Sequence, residues 1–413
     1  MKFLYEFYCQ NRMPKSTRIL IFLILILLIG SCRFPLSGFS QPRVPSPSFT
    51  PLPTITQTPS PTASSTATIT PLPTITPTQT GTPTPLMLVG FGTPLPPDLP
   101  PITVETAGQV SGLAEWYEPS VSDLTWTPDG LLLAVAGTDQ IKFYQPENRQ
   151  VLRTIYPGKS GIVDIDFSPD GEWMVAGSRQ GDEKSGFASA LELWQGPNWR
   201  PLGIMFGAAR GLSSLAFSPD NQHFAAAYAS PVYYENYVDI WNTWNWLITG
   251  TVQTGTILNL SFSPDGSLLA VSPDRYAVRI WDLKEKNWLT RLRSSFTGAV
   301  SALVFSPDGE TLATGHYDGL VRIWEARTGN LLLEFDTGAV VQSLTFSPDA
   351  RLIASGGSFE NSQIQLWTSG SGAPLRTLDS RSGGISKLVF SPDGRYLVSA
   401  SYDGSIRMWG IRP

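Results

Sequence analysis

The chain has 413 residues and a formal net charge of −5. It is too long for one ordinary hydrophobic core, and its acidic balance, with no basic stripe, argues against a nucleic-acid partner. Its two cysteines, Cys9 and Cys32, lie near the N-terminus, and its two histidines are His223 and His316; this excludes a disulfide framework further on and argues against a Cys/His zinc site.

Residues 19–31 read ILIFLILILLIGS, with Lys15 and Arg18 before them and Arg33 after Cys32. As a helix, the stretch between Arg18 and Arg33 reaches only about 21 Å, short of the roughly 30 Å hydrocarbon core. The run therefore predicts a signal peptide over 1–31. Its end, Ile29-Gly30-Ser31-Cys32, resembles the lipobox of bacterial lipoproteins, with isoleucine where leucine is more usual. The resemblance implies a diacylglycerol-modified Cys32 as first residue of the mature chain and an extracytoplasmic, membrane-anchored protein. The other reading of the run is an uncleaved anchor with an incidental cysteine. Met13-Pro14-Lys15 offers a more compact alternative start.

Residues 32–102 follow as a Pro/Thr/Ser-rich linker. PLPTIT occurs at 51–56 and again at 71–76, and no charge lies between Arg43 and Asp98. Prolines at this density remove backbone donors and fix φ, so a disordered spacer is expected. Fully extended, it reaches up to roughly 200 Å. Its Ser and Thr also suit O-glycosylation.

From residue 103 on, one pattern repeats. WTPDG at 126–130 is followed by FSPDG, FSPDN or FSPDA at 167, 217, 262, 305, 346 and 390. The anchor prolines, Pro128 to Pro392, are 41, 50, 45, 43, 41 and 44 residues apart, a period typical of stacked supersecondary units. An apolar strand precedes each anchor, Pro-Asp-Gly suits a tight turn, and a second strand follows. A third strand ends in Tyr144, Trp194, Trp241, Trp281, Trp324, Trp367 or Trp409, and a fourth apolar run completes the unit. The seven aspartates are thus turn residues and not catalytic ones.

These features resemble the WD-repeat β-propeller family over residues 108–411, carried by Arg279-Ile280-Trp281-Asp282 and by the Tyr317-Asp318-Gly319 and Tyr402-Asp403-Gly404 turns. The resemblance implies an all-β, seven-bladed propeller of four-stranded antiparallel blades. The family's Gly-His dipeptide ahead of the first strand is absent in every repeat, so its His–Asp–Ser–Trp network is incomplete in every blade. Residues 108–116 are expected to supply the last blade's fourth strand and so remove exposed edges.

Inserts between second and third strands mark candidate contact sites: SRQGDEKSGFASA at 178–190, YASPVYYENYV at 228–238 and SFENSQ at 358–363. In the family these loops share one face with the fourth-to-first connections. Tyr233, Tyr234 and Tyr237, with Phe187 and Phe359, are the candidate partner-binding residues, since aromatics concentrate interface energy. Trp199, Trp244, Trp246 and Trp288 read as blade packing, and His223 and His316 as framework. No nucleophile elbow, phosphate loop or metal motif is present, and no cofactor is expected. The expected function is a monomeric, membrane-tethered protein- or peptide-binding scaffold without enzymatic activity. An extracytoplasmic lyase or hydrolase, and a glycan-binding module, are the alternatives.

Overall fold

A computed structural model describes residues 94–412 except 97, 183–185, 209–210, 230–235, 255–258, 275–276, 294–297, 360 and 382. The signal run, Cys32, Tyr233 and Tyr234 lie outside the described residues. Strands dominate the rest, with one short 3-10 turn at Ala107–Gln109. They form seven four-stranded antiparallel sheets, six of which run in plain chain order. Blades 1 to 6 span 123–155, 162–208, 211–254, 260–293, 300–336 and 341–379. Blade 7 takes three strands from 385–411, and its fourth is Val110–Tyr117. That strand pairs with Ser405–Ile411 from Val110↔Ile411 to Tyr117↔Ser405, with a bulge after Gly112.

First strands touch the first strands of both neighbours all the way round, blade 7 meeting blade 1. The ring is therefore closed, with first strands around its axis. The apolar cores lie between sheets. Leu124, Leu133 and Val135 of blade 1 pack with Val398, Ile406 and Met408 of blade 7. Small residues on second strands, such as Ala134, Ala176, Ala270, Ala313 and Ala354, let facing sheets approach. Trp324 Nε1 donates to Thr314 Oγ1 (2.9 Å), Trp367 Nε1 to Ser355 Oγ (2.9 Å) and Trp409 Nε1 to Ser399 Oγ (2.9 Å). The tryptophan–hydroxyl half of the family network thus persists in blades 5 to 7.

Each anchor is a self-capped turn. In blade 5 the Ser306 hydroxyl donates to Asp308 and accepts from the Thr311 N–H at 3.0 Å. Asp308 Oδ1 also accepts the Glu310 N–H at 3.0 Å. Gly309 takes φ +75°; a Cβ there would stand 3.3 Å from Pro264 in the anchor turn of blade 4.

Residues 94–102, assigned to the linker by composition, pack against these turns. Leu95 N–H donates to Glu147 O (2.6 Å), Ile102 N–H donates to Gly394 O (2.8 Å), and Leu95, Leu99 and Ile102 are buried. Three apolar side chains among the prolines are enough to hold this stretch, so packing begins ahead of residue 103.

Candidate docking face

An antiparallel blade puts its first-to-second and third-to-fourth turns at one end and its other two connections at the opposite end. The ring therefore has a turn face, with the anchors and residues 94–102, and a loop face. Tyr117, Tyr156, Tyr317, Phe359 and Tyr402 are exposed where strands end on the loop face. Trp244, in the third-to-fourth turn of blade 3, is exposed on the turn face. Trp244 is therefore not the blade-packing residue the sequence suggested, whereas Trp199 and Trp246 are buried.

Three of these aromatics come from successive blades. Tyr317 (51% exposed) follows strand Thr311–His316 of blade 5, and Phe359 (65%) follows Leu352–Gly357 of blade 6. Tyr402 (53%) follows Leu397–Ser401 of blade 7. Phe359 and Tyr402 stack with centroids 4.8 Å apart and planes at 22°. Partial burial, and then the neighbouring Tyr317 hydroxyl, push the Tyr402 hydroxyl pKa up. Gly384, at φ +86°, makes the stack possible: a Cβ there would lie 2.8 Å from the Phe359 nitrogen. Tyr117 borders the same turn, 2.8 Å from where a Cβ of Gly404 would stand.

Of the other sequence candidates, Tyr237 is half-buried against the buried Tyr228, centroids 5.2 Å apart. Phe187 lies on strand Gly186–Gln195, its backbone paired with Gly181. The blade 2 insert is not the loop it was read as. Its register runs from Ser178↔Ala190 to Asp182↔Gly186, lengthening the second and third strands into a projecting hairpin. Its mix of small and polar residues can extend a ladder as readily as a loop.

The sequence reading missed a charged cluster at the ring's axis. Asp123, Asp164 and Lys387 each stand three residues before an anchor aromatic, on adjacent first strands. Lys387 Nζ lies 2.6 Å from Asp123 Oδ1. Asp123 Oδ2 accepts the Ile165 N–H (3.1 Å), and Asp164 Oδ2 accepts the Leu215 N–H (2.9 Å). Asp166 Oδ2 accepts the Phe217 N–H at 2.7 Å. Each carboxylate thus ties its strand to the next blade, where no ladder bonds exist. Burial first, then the Asp123 charge, pushes Asp164 well up; burial raises Asp166 to about 6. Burial opposes the Lys387 charge, but Asp123 and Asp164 outweigh it and raise its pKa. Among the described residues, no group of three or more His, Cys, Asp or Glu could hold a metal ion.

The WD domain, G-beta repeat model matches residues 149–182, 289–325, 329–368 and 372–410. The chain is similar to cell division cycle 20.1, cofactor of APC complex, of Arabidopsis thaliana: 28% identical over 269 residues, 63% of this chain and 56% of that protein. It is also similar to nuclear distribution protein PAC1 of Arthroderma benhamiae, 24% identical over 304 residues, 72% of this chain and 60% of that protein. Protein FIZZY-RELATED 3 of Arabidopsis thaliana is 34% identical over 85 residues, 21% of this chain and 18% of that protein. The chain thus spans little more than half the length even of the relatives it matches over long stretches. Seven like-built sheets closed into one ring make the fold a seven-bladed β-propeller, four stretches of which match the WD-repeat model.

Proposed function

We propose that the propeller is a non-enzymatic docking platform whose loop face takes a protein or peptide partner. The observation that carries this is the gathering of Tyr317, Phe359 and Tyr402 on one exposed face, two of them stacked. Scattered single apolar residues are normal on a surface, but aromatics converging from three blades are not. Leu95 and Ile102 hold the preceding segment on the turn face, the opposite side from these aromatics. The Arabidopsis relative, a cofactor of a complex by name, is in keeping with such a role.

The platform is tethered, in this proposal, by a lipid on Cys32, with residues 33–93 as spacer. Cys32→Ser is expected to leave the membrane fraction or stay as precursor; a variant still membrane-bound and processed to the same size contradicts the tether. For docking, a partner crosslinked in intact cells is titrated against Tyr317→Ala/Tyr402→Ala. Hot-spot aromatics contribute about 2 kcal/mol each, roughly thirtyfold in affinity. A loss of at least that factor with an unchanged melting point is expected; unchanged affinity contradicts the proposal.

A further inference from the structure

We propose that the loop face holds a receptor point for one arginine side chain of the partner, formed by the Phe359–Tyr402 stack and the Asp403 carboxylate. This rests on the docking role proposed above. Blades 5 and 7 start from the same turn sequence and spend their charges differently.

Blade 5 has Tyr317-Asp318-Gly319 with Arg322 four residues after the aspartate; blade 7 has Tyr402-Asp403-Gly404 with Arg407 at the same offset. In blade 5 the arginine serves two acids. Arg322 Nη2 lies 3.2 Å from Asp318 Oδ2, and Arg322 Nε lies 2.6 Å from Glu334 Oε2 on the paired fourth strand. Blade 7 has its own fourth-strand acid, Glu115, paired in register with Arg407. There Arg407 Nη2 sits 2.7 Å from Glu115 Oε1, and no ion pair reaches Asp403 among the described residues. Arg381, in the connection beside it, lies 3.8 Å from Asp379 instead.

Asp403 is nonetheless fixed and charged. Its Oδ1 accepts from the Ser405 N–H (2.9 Å) and the Ser405 hydroxyl (2.7 Å), and its Oδ2 accepts from the Gly383 N–H (3.2 Å). Burial works against its charge, but the Ser405 and Gly383 donors, and after them the charge of Arg407, hold the carboxyl below its usual range. The bare face of Gly383 brings it beside the aromatic pair. A Cβ there would have Asp403 Cβ at 3.5 Å and Phe359 Cε1 at 3.7 Å. An exposed aromatic face next to a carboxylate that has no ion-pair partner among the described residues is complementary to a guanidinium, which stacks on a ring while donating to an acid.

The test uses the full chain and ligand-observed NMR titration of N-acetyl-arginine amide, with the uncharged citrulline analogue as control. Arginine amide is expected to bind weakly, and the citrulline analogue about tenfold more weakly or not at all. Asp403→Asn keeps the oxygen that caps Ser405 and is expected to weaken binding about fivefold or more, as is Phe359→Ala; Glu310→Gln on the turn face is expected to change nothing. Melting curves establish that each variant is folded, and Tyr402→Phe, which keeps the ring, should bind like the parent. Equal binding of the citrulline analogue overturns the inference, as do folded Asp403→Asn and Phe359→Ala proteins that bind unchanged. If arginine amide does not bind while Tyr317→Ala/Tyr402→Ala still abolishes partner docking, the receptor point is wrong and the docking role stands.

Discussion

His316 shows how much one side chain can settle. It is buried, with Nδ1 3.2 Å from Gly298 O and Nε2 2.8 Å from Thr314 Oγ1. A carbonyl only accepts, so Nδ1 carries the proton and Nε2 takes the Thr314 hydroxyl hydrogen. That hydroxyl in turn accepts from Trp324 Nε1. Thr314 Oγ1 also lies 3.4 Å from Arg322 O, so it is burial that holds the ring neutral. Burial, and then Arg322, lowers the His316 pKa from 6.5 to about 4. A depressed histidine costs stability as pH falls, because the unfolded chain takes up the proton first. The loss sets in near pH 6.5 and is complete near pH 4, amounting to at most about 3 kcal/mol. The stability advantage of the parent over His316→Gln should therefore shrink by up to that amount between pH 7.5 and 4.5 in urea titrations. A pH-independent difference would show that the ring does not titrate in this window. Sequence alone placed His316 in the framework but could not show its two partners, which come from a connection and a strand.

Among the elements, strand Val110–Tyr117 matters most, because it joins two ends of the described chain. Its loss would expose the edge of Ser405–Ile411 and unpair Arg407 from Glu115. Deleting 103–117 should lower the melting temperature by about 10 °C or more, whereas deleting 44–84 should leave it nearly unchanged. Equal melting points for the two truncations would contradict this closure. The blades were legible because Pro128, Pro169 and their successors are local turn signals that need no tertiary context. The blade 2 hairpin was not, since 178–190 carries residues that serve a loop or a ladder equally well. The axial pair Asp123 and Lys387 was hidden for another reason. Each reads as an ordinary polar position until closure of the ring sets blade 7 beside blade 1. The Phe359–Tyr402 stack joins different blades in the same way, so composition could mark Phe359 but not its partner.

At the scale of the whole molecule, the ring divides its labour between two faces. The turn face is spent on self-capped anchors and on residues 94–102. The loop face carries Tyr317, Phe359, Tyr402 and an aspartate with no ion-pair partner among the described residues. Between them, Asp123, Asp164 and Lys387 bind first strands together along the axis. The central claim is that partners dock on the loop face. Its most direct test is site-specific photo-crosslinking in intact cells, with the probe residue placed singly at positions 317, 359 and 402 on one face and 244, 265 and 308 on the other. The account predicts a discrete crosslinked partner from the first three positions and none from the second three. The same partner captured chiefly from 244, 265 or 308, with nothing from 317, 359 or 402, would contradict it.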